Sequence, residues 1–265
     1  MKRLLLNAGS NILGRLFGVA VLEGASGNSV EQLIHNLRPR WSPDELIRIG
    51  GDRDGGYLVP ADINTYDFLV SPGVGQSYDF DKYFIERQID SVLIDPTVEL
   101  PSVPHLIHLK RYLGSYSSEQ DSTISLEAIL ERYGSGKSKA ILQMDIEGAE
   151  YSVIASALDS TISSFGMIVI EFHHLSGLCY RGMNPIIVSA FNRLLKSHFV
   201  AHIHVNNSGR VVPYRGFYIP ETMEFTFINR EQYALNDTAK FQSPHRLDIS
   251  CIDGVPDVAV PRCWW

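Results

Sequence analysis

Three acidic residues follow one apolar run of this chain and form its most distinctive string. Asp145-Ile146-Glu147-Gly148-Ala149-Glu150 comes directly after residues 140–144, where a predicted strand ends and a predicted helix begins. Carboxylates that share such a place lose solvation and repel one another, so they collect there with a ligand, a metal ion or a charged partner. Glu147 and Glu150 could also be simple complements of a helix N-terminus. Asp145, at the mouth of the predicted strand, fits that simpler explanation poorly and is the first candidate for chemistry.

A second polar group follows another apolar run, Met167–Ile170. It is Glu171-Phe172-His173-His174, and its spacing from Asp145 leaves room for one helix and one strand. The two strand ends can therefore be neighbours. A histidine there is suited to general-base catalysis because its unperturbed pKa lies near neutrality. Three roles stay open for His174: catalytic base, metal ligand, or structural and substrate contact.

A glycine turn and a following acid predict a nucleoside site. Pro72-Gly73-Val74-Gly75 follows the predicted strand Tyr66–Ser71 and precedes a predicted helix. Glycines there let the backbone turn tightly and approach a bound nucleoside. Asp95 closes the next strand, where a carboxylate can accept hydrogen bonds from both ribose hydroxyls. A dinucleotide site would have a glycine at the position of Tyr78, so the pattern favours S-adenosylmethionine over NAD or FAD.

A polar stripe marks one further strand. His202, His204 and Asn206 share one face of it because side chains alternate in direction along a strand. Only its end can reach the mouth of a sheet. His204, Asn206 and Asn207 are therefore predicted substrate contacts, whereas His202 is predicted to be a hydrogen-bonded core residue.

These residues need a scaffold that gathers strand ends, and the order of the other segments predicts one. Apolar, β-branched runs alternate with helix-like stretches, which is typical of a doubly wound, mostly parallel α/β sheet. Ligands bind such sheets outside the carboxyl ends of the strands, where the strand order reverses. We predict a seven-stranded sheet closed by an antiparallel pair, in a domain of residues 43–265 that follows an N-terminal helical extension of residues 1–42. The predicted strands are Tyr66–Ser71, Ser91–Ile94, His105–Leu109, Ala140–Met144, Met167–Ile170, Phe199–Val205 and Glu224–Ile228, and the predicted helices are Asp79–Gln88, Ser125–Tyr133, Glu150–Leu158 and Pro185–Lys196.

The chain resembles the FkbM-type S-adenosylmethionine-dependent methyltransferases. The resemblance rests on Met144–Glu150, Val70–Gly75 and Asp95, and it extends over about residues 50–229. It implies a Rossmann-like methyltransferase fold with S-adenosylmethionine as cofactor. Similar methyltransferases carry an Asp-Gly-Gly-Tyr segment near the cofactor pocket, matched here by residues 54–57. The roles it implies are the methionine part of the cofactor for Gly73, Val74 and Gly75, the ribose for Asp95, the active-site lining for Asp145, Glu147 and Glu150, and ligand contacts for Asp54 and Tyr57.

A divalent metal ion is a further implication of this resemblance. Some sugar O-methyltransferases of macrolide biosynthesis, a related group with this fold, bind magnesium through an Asp after the fourth strand and acids after the fifth. By similarity, Asp145, Glu171 and either His173 or His174 could bind Mg²⁺ or Mn²⁺ here. Magnesium prefers oxygen ligands, so a histidine in the set favours Mn²⁺ or Zn²⁺, or makes the histidine a general base.

The chain departs from the methyltransferase pattern at one point. Many methyltransferases have an acid just ahead of the glycine turn, whereas this chain has Ser71-Pro72 there. Asp67 lies too far back along the strand to replace it. Recognition of the cofactor's methionine ammonium group must therefore come from elsewhere.

The reaction that fits these residues is S-adenosylmethionine-dependent O-methylation of a hydroxyl on a sugar, a glycan or a small-molecule natural product. An alcohol is weakly acidic, so a base or a metal ion is needed to remove its proton. We predict Asp145, Glu171 and His174 as the catalytic residues, with Glu147, His173, His204, Asn206 and Asp54 contacting the substrate. The alternatives are a non-catalytic or nucleotide-binding protein on the same fold, and a membrane-associated modifier of lipid-linked glycans.

Composition restricts the partners. The 23 Lys+Arg against 30 Asp+Glu give a formal net charge of −7, and no long basic cluster occurs, which argues against nucleic acid. The three cysteines lie far apart without a Cys-x-x-Cys pair, which argues against a disulfide framework and fits a reducing cytoplasm.

The N-terminus is the one segment that suggests a membrane. Its uncharged runs, residues 4–14 and 16–22, are shorter than the ~18–20 residues that span a bilayer. Residues 1–25 are instead predicted to include an amphipathic helix that packs on the domain or on a second subunit of a homo-oligomer. Weak contact with a membrane surface, as a peripheral protein, is the alternative.

Overall fold

The computed structural model describes residues 22–42, 45–52, 54–75, 77–236, 241–252 and 254–265. Almost all of the amphipathic helix predicted within residues 1–25 lies outside these ranges. Within them, no helix is long and apolar enough to cross a membrane. The helices are α1 (Gly27–Asn36), α2 (Asp79–Ile85), α3 (Leu126–Tyr133), α4 (Glu150–Ser156), α5 (Asp159–Ser164) and α6 (Asn184–Ser197). The strands are β1 (Leu46–Ile49), β2 (Tyr57–Pro60), β3 (Phe68–Pro72), β4 (Asp90–Ile94), β5 (Leu106–Leu109), β6 (Tyr112–Leu113), β7 (Thr123–Ile124), β8 (Ala140–Met144), β9 (Phe165–Phe172), β10 (His198–Val205), β11 (Val211–Tyr214), β12 (Phe217–Pro220) and β13 (Met223–Asn229).

The seven predicted strands form one sheet in the order β10-β13-β9-β8-β3-β4-β5. Strand β13 pairs antiparallel with both β9 and β10, while β9, β8, β3, β4 and β5 are parallel neighbours. The predicted doubly wound, mostly parallel α/β sheet is therefore confirmed. The antiparallel pair lies at one side of the sheet as expected, but β13 inserts between β9 and β10. From β3 the chain adds β4 and β5 on one side and then crosses over to β8 on the other side, so the strand order reverses between β3 and β8.

Both faces of the sheet are covered, which explains why its central strands read as continuous apolar runs. All eight residues of β9 are buried. Neighbouring residues of one strand enter different cores: Val70 packs in one hydrophobic cluster and Leu69 in the other. Two packed faces hold the strand ends in fixed positions, which a site built from side chains on several strands requires.

Helices and the C-terminus complete these layers. Helix α3 begins after Ser125, whose hydroxyl accepts a hydrogen bond from the Ala128 N–H at 3.4 Å. Helix α1 buries Val30, Leu33 and Ile34. Near the C-terminus, the indole of the fully buried Trp264 donates to the Tyr218 carbonyl at 2.9 Å.

Short antiparallel pairs, β1 with β2 and β11 with β12, were not predicted from the sequence. Each of these strands has only four residues, so two-residue alternation has too few repeats to be recognised. The β1–β2 connection carries Asp54 and lies at one side of the candidate site.

Candidate active site

The glycine turn and the acidic string meet at the switch point of the sheet. The Gly73 N–H donates to the Ile94 carbonyl at 3.0 Å, and the Asp145 N–H donates to the Pro72 carbonyl at 3.1 Å. Gly73 has φ +81°, and a Cβ atom there would lie 1.5 Å from the Asp145 carbonyl oxygen. Only glycine permits this approach. The turn is thus held directly against Asp145.

Asp95 clamps the glycine turn from the next strand. Its Oδ2 accepts from the N–H groups of Val74 at 3.1 Å and Gly75 at 3.3 Å, and its Oδ1 accepts from the N–H of Thr97 at 2.8 Å and the Thr97 hydroxyl at 2.6 Å. Burial acts to raise the pKa of Asp95, but these hydrogen bonds outweigh it and hold the pKa below its ordinary value. Asp95 is therefore ionised and orders the turn. In the predicted contact with a ribose, the ribose hydroxyls would donate to carboxylate oxygens that already accept four hydrogen bonds.

Two cavity lobes open on either side of the turn, and Gly73, Gly75 and Asp145 line both. One lobe, of about 410 Å³, lies over the end of β4 and includes Ile94 and Leu113; we call it the apolar lobe. The other, of about 610 Å³, lies between the β1–β2 connection and the start of α2; we call it the acidic lobe. Its acidic lining residues are Asp52, Asp54, Asp79, Asp81 and Asp145, and in the part of the chain that the structure describes no lysine or arginine lines it.

His173 lies at the centre of the acidic string rather than beside it. Its Nδ1 is 3.2 Å from Glu150 Oε1, and its Nε2 is 3.3 Å from Glu171 Oε1, 3.4 Å from Glu147 Oε2 and 3.8 Å from Asp145 Oδ1. Burial acts to lower the pKa of His173, but the hydrogen bonds to Glu150 and Glu171 raise it to about 11. Without a bound metal, His173 is thus an imidazolium ion at neutral pH and is unsuited to act as a base.

The acids around His173 retain unsatisfied oxygens. Asp145 Oδ1, Glu150 Oε2 and Glu171 Oε2 are buried without a hydrogen-bond partner. Burial, with the negative charge of Glu171, raises the pKa of Asp145 to about 8, and burial also raises the pKa of Glu171. Unpaired buried acceptors are rare in proteins and indicate a missing ligand, ion or proton.

Glu150 has a structural part in this arrangement. It is fully buried, and its Oε1 accepts from the N–H groups of Ile146 at 3.2 Å and Gly148 at 3.0 Å. These hydrogen bonds fold the acidic string back on itself. Glu150 is therefore more than a negative charge that complements the N-terminus of a helix. Glu147, with φ +56° and a side chain 87% exposed, is the outermost acid of the string.

His174 turns away from this centre. Its backbone has φ +54°, its side chain is 71% exposed, and its Nδ1 lies 3.7 Å from Glu221 Oε1. Its ring packs beside Gly148, whose Cβ position would be 3.0 Å from the ring Cδ2. His174 lines neither lobe. The sequence predicted a catalytic histidine, but the structure brings His173, and not His174, next to Asp145.

Two of the predicted substrate contacts, one near the end of β10 and one just after it, are bonded to acids of the site. Asn206 donates to Glu171 Oε1 at 3.0 Å. His204 bridges two acids, with Nδ1 3.2 Å from Glu224 Oε2 and Nε2 3.1 Å from Asp257 Oδ1. The hydrogen bonds to Asp257 and Glu224 raise the pKa of His204 against the opposing effect of burial. These two residues are therefore placed to orient Glu171 and Glu224.

Glu224, Asp81 and Cys251 were missed by the sequence analysis. Glu224 is near the start of β13, and only because β13 runs antiparallel does its amino end reach the carboxyl edge of the other strands. Considering strand ends alone overlooks such a residue. Cys251 lines the acidic lobe and donates to Glu224 Oε1 at 3.3 Å. No sequence signal marks its proximity to β13, since it lies in an irregular C-terminal segment.

Three groups of side chains could hold a metal ion within the described ranges. The ligand atoms of each group lie within 4.8 Å of one another. The predicted partners Asp145 and Glu171 fall in different groups, because the imidazole of His173 lies between them. The groups are Asp145 with Glu147 and His173, Asp54 with Glu171 and Glu224, and His204 with Glu224 and Cys251.

Comparison with known protein families finds a match to a methyltransferase domain. The methyltransferase FkbM domain matches residues 107–178, a stretch that includes β8, the acidic string and all of β9. The predicted resemblance to FkbM-type methyltransferases is thereby confirmed. No curated protein matches the sequence. The structure of bluetongue virus VP4, described as a multifunctional RNA-capping production line, is similar over 76% of this chain at 9% identity and a TM-score of 0.32. This chain spans 26% of that viral protein.

Proposed function

We propose, starting from the FkbM-type methyltransferase domain of this chain, that it transfers a methyl group from S-adenosylmethionine to a hydroxyl of a sugar, a glycan or a small natural product. The observation that carries the proposal is the pair of lobes joined at Gly73, Gly75 and Asp145. They lie where the strand order reverses, which is where open α/β sheets bind their ligands.

The residues present fit S-adenosylmethionine. The apolar lobe offers Ile94, Leu113 and Ile146 to a purine, and the turn beside Asp95 offers backbone close to a ribose. The acidic lobe suits the positively charged part of the cofactor. When bound, S-adenosylmethionine supplies a methyl group activated by its sulfonium. The chain's own task is then to align the acceptor oxygen and remove its proton.

Asp145 is the residue we assign as the proton acceptor. It lines both lobes, and its Oδ1 is buried without a hydrogen-bond partner, so that oxygen is available to an acceptor hydroxyl. His173, paired with Glu150, acts as the positioning residue, with its Nε2 3.8 Å from the same Asp145 Oδ1. The exposed position of His174 supports no direct part in this step.

The charge of the acidic lobe supports a neutral, hydroxyl-rich acceptor. Carboxylates accept hydrogen bonds from sugar hydroxyls, whereas the ionised aspartates of this lobe repel phosphates and other anions. This favours a glycan or an uncharged natural product over nucleic acid.

A divalent ion is a second arrangement for the same centre. Asp145, Glu147 and Nε2 of His173 converge, while Nδ1 of His173 faces Glu150. A histidine that binds a metal through one nitrogen and a carboxylate through the other is a common pairing. Such an ion would stabilise a deprotonated acceptor oxygen.

Calorimetric titration with S-adenosylmethionine and S-adenosylhomocysteine tests the cofactor, and transfer of a labelled methyl group to neutral and phosphorylated glycans tests the acceptor. We expect both compounds to bind and the neutral hydroxyl acceptors to be methylated. Asp159→Asn, an exposed substitution away from the lobes, serves as the control variant. A folded protein that binds neither compound would overturn the proposal.

Running the assay with and without a chelator separates the two arrangements, since only the metal form loses activity and regains it with Mn²⁺ or Mg²⁺.

A further inference from the structure

Many methyltransferases have an acid just ahead of the glycine turn, but this chain has Ser71 there, and its hydroxyl is already hydrogen-bonded within the protein. Ser71 is fully buried, and its hydroxyl donates to Gln143 Oε1 at 2.6 Å. Gln143 in turn donates to the Tyr57 hydroxyl at 3.3 Å. This neutral chain of hydrogen bonds offers no anion to the ammonium group of an amino acid.

Asp81 places a carboxylate on the other side of the same turn. It is the third residue of α2, it is 4% exposed, and it lines the acidic lobe together with Gly73 and Gly75. Its Oδ1 is buried without a hydrogen-bond partner. Asp52, Asp54 and Asp79 line the same lobe but are exposed to solvent, so they need no partner.

No described cation of the protein serves Asp81. The neighbouring Lys82 points to solvent with 55% of its side chain exposed and lies 4.0 Å from Glu86. Burial raises the pKa of Asp81 to about 7 even though a hydrogen bond with the Ser71 hydroxyl acts to lower it, because a buried carboxylate loses its hydration. A cationic ligand in the lobe would remove that penalty.

We propose that Asp81 binds the ammonium group of the cofactor's methionine part. This assignment rests on the proposed use of S-adenosylmethionine. The apolar lobe takes the nucleoside, the glycine turn lies between the lobes, and Asp81 lies on the acidic side, where the amino-acid end of the cofactor would emerge. Asp81 thus replaces an acid that the chain lacks at Ser71-Pro72.

Two ligands separate this contact from the rest of the cofactor site. S-adenosylhomocysteine has the ammonium group, whereas 5′-methylthioadenosine has the same nucleoside thioether without the amino-acid group. We expect Asp81→Asn to weaken S-adenosylhomocysteine by about 10–100-fold, the range for a lost charged hydrogen bond, and to leave 5′-methylthioadenosine unchanged. Asp159→Asn is the control, because it removes an exposed acid that lines neither lobe; it should change neither affinity by more than about threefold.

The outcomes distinguish the two proposals. If the wild-type protein binds neither compound, the proposed cofactor is wrong. If it binds both, and Asp81→Asn weakens both equally or neither, the assignment of Asp81 is wrong. Thermal unfolding checks that each variant is folded. Asp81→Ser, which is smaller and equally neutral, provides the same comparison if the Asn variant does not fold.

Discussion

The two edges of the central sheet use the same acidic residue in opposite ways. At the amino edge, Asp67 accepts from the Ser138 N–H and hydroxyl, both at 2.8 Å, and from the Lys139 N–H at 2.9 Å. Asp90 there pairs with Lys137, whose hydrogen bond is the main cause of its lowered pKa, and with His105. At the carboxyl edge, burial raises the pKa values of Asp81 and Asp145, and each has an oxygen without a partner.

The difference is between acids that have partners within the folded chain and buried acids that retain an unpaired oxygen. Acids that are paired in the folded chain stabilise it, whereas buried acids without a partner destabilise it until something binds. Under the proposed function, binding of the cofactor at the carboxyl edge would therefore raise the free energy of unfolding. Neutral substitutions of the acids at the two edges should therefore have opposite effects on the free energy of unfolding, and the experiments below test how the two edges differ.

The largest effect is expected from Asp145→Asn. Loss of a general base lowers turnover by about 10²–10⁴-fold, while cofactor affinity should change little because the backbone contact to the glycine turn remains. Initial rates and calorimetric titration measure the two quantities. Thermal unfolding should show a variant at least as stable as the wild type. Turnover within a few-fold of wild type would remove Asp145 from the chemistry.

Gly73→Ala should damage the carboxyl edge through the backbone. Its Cβ would overlap the Asp145 carbonyl, and φ +81° is strained for alanine, so we expect a loss of roughly 3–5 kcal/mol in the free energy of unfolding. Gly136→Ala, at φ +77° with open space around it, adds strain alone and should cost about 1 kcal/mol. Urea denaturation compares the pair. Equal losses would mean that the approach of Gly73 to Asp145 is unimportant.

The carboxyl edge should lose stability as the pH rises. The pKa of Asp81 is about 7 in the folded protein against an ordinary 3.8, so the unfolded chain releases this proton first. The free energy of unfolding should therefore fall between about pH 4 and pH 7, by up to ~4 kcal/mol. Asp81→Asn lacks this titrating group, so the variant should become increasingly more stable than the wild type as the pH rises across that interval. Parallel stability curves for the two proteins would contradict the prediction.

The amino edge should lose stability as the pH falls. Burial lowers the pKa of His198 to about 4 from 6.5; its Nε2 lies 2.9 Å from the Phe165 carbonyl and its Nδ1 2.9 Å from the Ser197 hydroxyl. On acidification the unfolded chain takes up this proton first, so stability present above pH 6.5 is lost toward pH 4, by about 3 kcal/mol. His198→Gln should flatten that part of the curve, as measured by urea unfolding at several pH values. An unaltered slope would show that another group is responsible.

The smallest effect is expected from Asp67→Asn. Asn keeps the size of the side chain but weakens the hydrogen bonds from Ser138 and Lys139, so stability should fall by about 1–2 kcal/mol. Methyl transfer should stay within twofold of wild type, since this edge is remote from both lobes. A loss of methyl transfer well beyond twofold in a folded variant would contradict the distinction between the two edges.

Much of the fold could be predicted because its determinants are local. The central strands are apolar runs buried on both faces, and Gly73, Gly75 and Asp145 follow strands that had been recognised. Their meeting at the switch point follows from the alternation of strands and helices alone.

What could not be predicted depends on contacts between distant segments. Asp81 is one of several acids near the start of α2, and only packing reveals that it is buried while Asp79 is exposed. The choice between His173 and His174 depends on a positive φ at His174. The position of Glu224 depends on the direction of β13, which residue patterns leave open.

The insertion of β13 between β9 and β10 has a consequence for biosynthesis. Strand β9 pairs along Met167–Phe172 with a strand that begins only at Met223, so it has an open edge while the intervening chain is made. Cys251, which lines the acidic lobe and donates to Glu224, is added later still. The site therefore cannot assemble on a nascent chain until residues 223–251 have left the ribosome, and pairing over so long a separation makes this a late, slow step of folding.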